Sequence, residues 1–393
     1  MSFYKFFVKI MVVLTVLISI ACTSHPTKSP TPAIESELTL TQKLQNTLND
    51  FIKNSNIQGV SSAIIMPNKE IWLGVSGMSD PTIEEQITPE MLFDIASTGK
   101  NYVATLILQL VEEGRLTLED PLRKWLPDYP NIDNNITVRQ MLNHTSGIYE
   151  FVKNSRSPWQ MAYKSTKMWT QEQILADLVD KPYFTPGNGW HYSSTNYILL
   201  RMIVEKVTGL KVSEEIKNRF LTPLDLDGTI IVDPLAPIPP GKIIANNWIG
   251  DIVDLATKPQ PWTATSPHLI YATAEDSAKW IHLLYHEKKV LDQKLLDQML
   301  DFHSPTPNEP PLSGYGLGVM FIDSELAEKS FGVKGVRMWG HGGSTLGFRS
   351  IVMYLPDYGT TISVMINGNN DESLINIFVG LLKVVLDDSR KTS

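Results

Sequence analysis

A single cysteine, Cys22, stands in the 393 residues of the chain. No disulfide can therefore close within the chain, and no cysteine cluster can hold a metal. Basic residues are outnumbered, 34 Lys plus Arg against 42 Asp plus Glu, and no basic stripe interleaved with aromatics occurs, which argues against nucleic acid as a partner. The G-x-S-x-G turn that carries an α/β-hydrolase nucleophile is absent. So are the G-x-G-x-x-G and G-x-x-x-x-G-K-S/T loops that cradle nucleotide phosphates. His282 and His286 share a helix face in WIHLLYHEKK but lack the glutamate of a metalloprotease motif, and they read as helix-surface residues. No metal and no cofactor is expected.

One apolar run stands out, Ile10 to Ile20 in MSFYKFFVKIMVVLTVLISIAC, preceded by Lys5 and Lys9 and followed by Ala21 and Cys22. It is short for a permanent span and has the layout of an export signal, residues 1–21. Cys22 sits as in a bacterial lipobox, with Ser19 in place of the usual leucine, so lipid attachment at Cys22 is expected. TSHPTKSPTPAIES then reads as a proline-punctuated tether over 22–38. The expected location is the bacterial cell envelope, exported and lipid-anchored.

What remains, 39–393, has ample apolar material for one large domain with an insertion. LTLTQKLQNTLNDFIKN reads as a helix and VSSAIIMPNKEIWLGVSG as two strands around a Pro67-Asn68 turn. Helical patterns dominate from about 101 to 220, and the helical lobe is placed within 101–270. GYGLGVMFI, FRSIVMYLP and TTISVMING read as successive antiparallel strands, and ESLINIFVGLLKVVLDD as a covering helix. Strands from both ends with helices between them give a mixed α/β fold, an antiparallel sheet flanked by helices plus a mainly helical lobe. IVDPLAPIPPGK reads as a proline-rich loop.

The chemistry starts in FDIASTGKNYVATLILQLVEEGRL, residues 93 to 116. Val103, Leu106, Ile107, Leu110 and Val111 recur at helical spacing, and the stripe projected backwards puts Lys100 on the apolar side with Ser97 near the helix entrance. A serine hydroxyl needs a base to become a nucleophile, and a lysine can be that base when burial lowers its pKa. The helix dipole also favours negative charge developing at Ser97. Tyr192 follows a Pro-Gly turn and precedes an apolar helix, so its phenol can reach a buried pocket and exchange a proton with Ser97. Lys100 and Tyr192 should titrate as a unit, and either can take the first proton. His341 lies among glycines in WGHGGSTLGFRS, where Gly342 and Gly343 would let a ligand backbone lie against the strand. His144 reads as a loop-fixing residue.

These stretches, in this order, resemble the serine β-lactamase, penicillin-binding protein and D-alanyl-D-alanine carboxypeptidase superfamily, most closely its class C-like branch. STGK at 97–100 matches S-x-x-K, Tyr192 the tyrosine of Y-x-N, and HGG at 341–343 the K/H-[TSG]-G motif. MLNHTSGI, TPGNGWHYS and LTPLDLDGT are further marks. The resemblance implies Ser97, Lys100 and Tyr192 as catalytic residues, the N–H groups of Ser97 and Ser344 as oxyanion hole, and Ser194, His341, Gly342 and Gly343 in substrate binding. His341 would alternatively tune the Tyr192 and Lys100 pair. Two departures stand out: Ser194 where asparagine is usual, and Pro267 and His268 where a glycine pair often precedes the S/T-x-x-D helix.

The expected protein is a serine hydrolase that forms an acyl-enzyme on D-amino-acid peptides, carboxypeptidase-like, with a peptidoglycan stem peptide as a natural partner and a monomeric state. Small esters or amides rank second and β-lactams third. A catalytically silent binding protein on the same fold is the non-enzymatic alternative, and the intact STGK and Tyr192 argue against it.

Overall fold

Valine- and isoleucine-rich stretches from the two ends of the chain meet as neighbouring strands, and the sheet built on that pair carries everything else. The computed structural model describes residues 38–55, 57–157, 169–231, 248–249, 252–253, 270–302, 312–345 and 347–392. Residues 1–37, which hold the expected signal, Cys22 and nearly all of the tether, lie outside the described residues, as do Pro267, His268 and most of IVDPLAPIPPGK.

The N-terminal part supplies α1 (Leu40–Asn54), β1 (Gly59–Ile65), β2 (Ile71–Asp80), β3 (Glu85–Gln86) and β4 (Phe93–Asp94). A run of helices follows: α2 (Lys100–Glu112), α3 (Val138–Leu142), α4 (Gln171–Asp177), α5 (Thr195–Thr208) and α6 (Val212–Ile216). Next come β5 (Thr229–Ile231), the two-strand pair β6 (Trp248–Ile249) and β7 (Ile252–Val253), then β8 (Ile270–Ala272), α7 (Ala274–Tyr285) and α8 (Gln293–Met299). The C-terminal part holds β9 (Gly314–Tyr315), β10 (Met320–Ile322), α9 (Ser324–Phe331), β11 (Met338–Thr345), β12 (Phe348–Leu355), β13 (Thr360–Ile366) and α10 (Asp371–Thr392).

The main sheet runs β3-β2-β1-β13-β12-β11-β10-β9, antiparallel throughout, with Val60 opposite Ile366 where the two chain ends meet. Both faces of β1 and β13 are buried, which is why they read as near-continuous apolar runs rather than alternating ones. One face carries α1 and α10: Leu44 and Leu48, one turn apart, are fully buried beside Ile377, Phe378 and Leu381. Each such leucine contributes about 1.5–3 kcal/mol of burial, and Leu48→Ala would cost about 2–5 kcal/mol. The other face packs on α7 and on the helices of residues 100–216, which share a larger core.

One expectation about strands needs correction. GYGLGVMFI is a hairpin of two short strands, β9 and β10, because Gly318 takes a φ of +75° between them and comes against Ala104 and the Lys100 carbonyl. The strand bearing His341 lies inside the sheet order, yet its pairing with β10 ends at Gly340. From His341 to Thr345 it has β12 on one flank and, among the described residues, no strand on the other.

Candidate active site

Ser97 sits on a one-turn 3-10 helix, Ala96–Gly99, that leads directly into α2. It is the one residue of Met91–Lys100 that is not buried. As the second residue of the turn it keeps an N–H with no backbone acceptor among the described residues. Lys100, the first residue of α2, is 1% exposed, and its Nζ lies 3.0 Å from Ser97 Oγ and 3.5 Å from Ser194 Oγ. Its other neighbours are ring faces, Tyr192 at 4.8 Å and Tyr197 at 5.4 Å from the centroids.

Burial pushes Lys100 down to about 7, against the opposing pull of the Glu150 carboxylate. A neutral amine within hydrogen-bond reach of a half-exposed hydroxyl is what a serine nucleophile requires. Tyr192 is shifted the other way: burial raises it, and the Ser97 hydroxyl is the group that opposes the rise. Its Oη is buried and closes no hydrogen bond of full geometry among the described residues, and burial keeps the phenol protonated.

His341 is fully buried and both ring nitrogens are engaged. Nδ1–H donates to the Gly342 carbonyl at 2.6 Å, which leaves Nε2 as acceptor for the Tyr315 hydroxyl at 2.9 Å. Burial, reinforced by the Lys100 charge, lowers its pKa to about 3, so the ring is neutral. Of its two expected roles, direct substrate contact does not fit this geometry; a neutral dipole behind Tyr192 and Lys100 does. Gly343 also differs from expectation. A side chain there would run into the Ile95 carbonyl, so its smallness lets β11 approach the segment before Ser97 and is used up by packing. A Cβ at Gly342 would make only an ordinary contact, 3.7 Å from the Ser350 carbonyl, and Gly342 and Ser344 are both partly exposed on the stretch without a described strand neighbour.

Ser194 stands before α5, its hydroxyl at Lys100 and its N–H donating to Glu150 Oε2 at 2.7 Å. The sequence reading missed Glu150, a buried acid two residues past MLNHTSGI, whose carboxylate pins the Tyr192–Ser194 segment and offsets the Lys100 charge. An acid between Tyr149 and Phe151 was the available signal. Tyr315, also missed, was legible only as a strand residue. His144 does fix its loop: its Nδ1 accepts from the Ser193 N–H and from Asn196 Nδ2, both at 3.2 Å. His282 and His286 require correction, since His282 is 2% exposed and its ring stacks on His286 with centroids 4.4 Å apart, packed against β12 and β13.

The Beta-lactamase family profile matches residues 44–379 of the chain. Penicillin-binding protein 4* of Bacillus subtilis is 33% identical over 156 residues, 39% of this chain, and the match spans a third (33%) of that protein's length. Among solved structures, a D-stereospecific amidohydrolase from Streptomyces sp. superposes with a TM-score of 0.71 at 27% identity, covering 86% of this chain and 97% of its own. The D-amino acid amidase of Ochrobactrum anthropi SV3, complexed with L-phenylalanine, gives 0.76 at 26% identity over 89% of this chain and 99% of its own.

Proposed function

The chain belongs to the Beta-lactamase family of serine hydrolases, and from that premise we propose that it hydrolyses amide bonds of D-amino-acid peptides and amides through an acyl-enzyme on Ser97. The observation that carries this reading is the 3.0 Å approach of a fully buried Lys100 amine to the half-exposed Ser97 hydroxyl. Lys100, pushed down to about 7, takes the hydroxyl proton as Ser97 Oγ attacks the substrate carbonyl. Tyr192, held protonated by its burial, is the poorer first base and the better donor to the departing amine. The N–H of Ser97, with that of Ser344, stabilises the oxyanion of the tetrahedral intermediate. Water then attacks the acyl-enzyme, its proton passing to the Lys100 and Tyr192 pair and from that pair to the departing Ser97 Oγ, which restores the hydroxyl.

The open flank of β11 from His341 to Thr345 is where a peptide backbone would lie. The amidohydrolase and amidase similarities support D-configured substrates, and a peptidoglycan stem peptide ending in D-alanine is the carboxypeptidase-like version of the same reaction. Small esters are the second reading, favoured by Ser194, whose single hydroxyl grips an amide less than asparagine would. Intact-protein mass spectrometry after exposure to a D-Ala-D-Ala peptide, a D-amino acid amide, a β-lactam and a p-nitrophenyl ester tests both. An acyl adduct on the parent and none on Ser97→Ala is expected. Equal labelling of Ser97→Ala would remove Ser97 from the mechanism.

A further inference from the structure

The residue just before the proposed nucleophile has a backbone that its side chain does not favour. Ala96 has φ of +49° and is 4% exposed, in the left-handed region where a Cβ crowds the following carbonyl. Non-glycine residues stay in this region only where the surroundings over-determine them. Here the preceding peptide is held at both ends. The Ala96 N–H donates to Asp94 Oδ1 at 2.8 Å, and the Ile95 carbonyl accepts from Ser350 Oγ at 3.0 Å. The Ile95 N–H is tied to the Ile270 carbonyl of β8 at 3.0 Å, and Gly343 leaves room for the Ile95 carbonyl on the β11 side. Strands β4, β11 and β12 thus converge on one peptide, and β8 holds the peptide before it.

We propose that Asp94 is a positioning residue that fixes the Ile95–Ala96 peptide, so that Ala96 keeps the left-handed turn which presents both the hydroxyl and the N–H of Ser97 to the open face. The inference rests on Ser97 being the nucleophile. What Asp94 contributes is an acceptor, not a charge. It is 6% exposed, no described cation pairs with it, and burial raises its pKa to about 7 while the Ala96 N–H and the Thr345 hydroxyl pull it back. A protonated carboxyl retains the carbonyl oxygen that holds Ala96. Nor does Asp94 act through Lys100, whose shift comes from burial and Glu150.

The test compares acylation rate, kcat and KM for Asp94→Ala and Asp94→Asn, each made in the parent and in an Ala96→Gly background. Misplacing the nucleophile slows reaction without loosening substrate, so Asp94→Ala in the parent should lose about tenfold to a hundredfold in acylation rate and kcat, with KM within about twofold. Asp94→Asn, which keeps the acceptor, should stay within about threefold of the parent. In the Ala96→Gly background the loss on Asp94→Ala should shrink to about threefold or less, because glycine takes a positive φ without being held there. Should Asp94→Ala not fold, Ser350→Ala releases the other end of the same peptide and carries the same expectation. Losses of equal size in both backgrounds, a failure of Asp94→Asn to rescue, or a loss confined to KM would each overturn the clamp. If Ser97→Ala still forms the acyl adduct, the nucleophile itself is wrong, whereas adduct on Ser97 with no loss in the Asp94 variants removes the clamp alone.

Discussion

Two helices packed against the main sheet each begin or end with a pair of polar groups on one face, and the pairs have opposite fates. Ser97 and Lys100 straddle the start of α2; His282 and His286 straddle the end of α7. The histidines find hydrogen bonds in the sheet, His282 Nδ1 with Thr361 at 3.2 Å and His286 Nδ1 with Tyr354 at 3.0 Å, and their rings cover each other. Lys100 is as buried as His282 but, Glu150 apart, meets hydroxyls and ring faces among the described residues, and the hydroxyl 3.0 Å away opens to the surface. Spacing on a helix is therefore the same signal in both places. What differs is whether the pair has been absorbed by neighbours or, as proposed for Ser97 and Lys100, left with chemistry to do.

Removing the amine should break the contrast most severely. Lys100→Met keeps most of the volume and should lower turnover by at least ~10²-fold, the usual cost of losing a general base. In the parent, kcat/KM should rise with pH through about 7 as the amine becomes neutral. Stability supplies a second readout. The folded-state pKa lies below the ordinary 10.5, so the native protein binds fewer protons than the unfolded one between those values. Parent stability should consequently rise with pH from about 7 to 10.5, and Lys100→Met should lose that rise. Denaturant midpoints at several pH values, together with initial rates, measure both; wild-type turnover in the variant would reduce Lys100 to a packing residue.

Tyr192→Phe comes next. A positioned proton donor is worth ~10²-fold, so turnover on amides should fall by about that much while aryl esters, whose leaving groups need no proton, fall less. The lost hydroxyl is buried with no hydrogen bond of full geometry among the described residues, so the variant should be at least as stable as the parent. A clear drop in melting temperature would show that the phenol is bonded in solution and is structural.

How far the sequence carried this reading depends on the range of the forces concerned. Ser97, Lys100 and Tyr192 were legible because apolar periodicity around STGK and after Tyr192 is local, and because the ordered motifs specify the fold. Strands at both chain ends announced one sheet, and β1 does pair with β13. Glu150 and Tyr315 were not legible, since each acquires meaning only from a neighbour far along the chain, Ser194 and His341 respectively. His282 misled for the same reason: an i, i+4 pair on an amphipathic helix does not reveal which side meets the sheet. Gly343 was assigned to the ligand when packing against Ile95 already requires it.

Ser194→Asn should sharpen the active-site half of the comparison by a smaller amount. One hydrogen bond improved in the transition state is worth ~0.5–1.5 kcal/mol, so kcat/KM on peptides should rise about twofold to tenfold relative to esters of the same acyl group. The larger side chain must fit beside Lys100 and Glu150, and overpacking would appear as lost stability. If the peptide-to-ester ratio stays flat in a folded variant, residue 194 does not set substrate class, and the ester reading loses its main support.

The smallest effect is expected at the histidine pair, where a change should register in stability and leave catalysis alone. Burial lowers His282 to about 4, the adjacent His286 adds to the fall, and Glu287 opposes it. With a folded pKa below the ordinary 6.5, the unfolded chain binds more protons between those values, so this histidine's contribution to stability is full above 6.5 and is lost as pH falls toward 4. His341 and His144, also shifted down by burial, give the parent further acid sensitivity, so the informative quantity is the difference between parent and His282→Gln. Glutamine can still meet Thr361 but takes up no proton. The variant should therefore lose ~0.5–1.5 kcal/mol at neutral pH from imperfect packing and bonding, and that deficit should narrow as the pH is lowered. Its kcat/KM profile should overlay the parent's, acid limb near 7 included, because that limb belongs to Lys100. A displaced limb in His282→Gln would mean that the two polar pairs communicate through the sheet, and the division between an absorbed pair and a working one would fail.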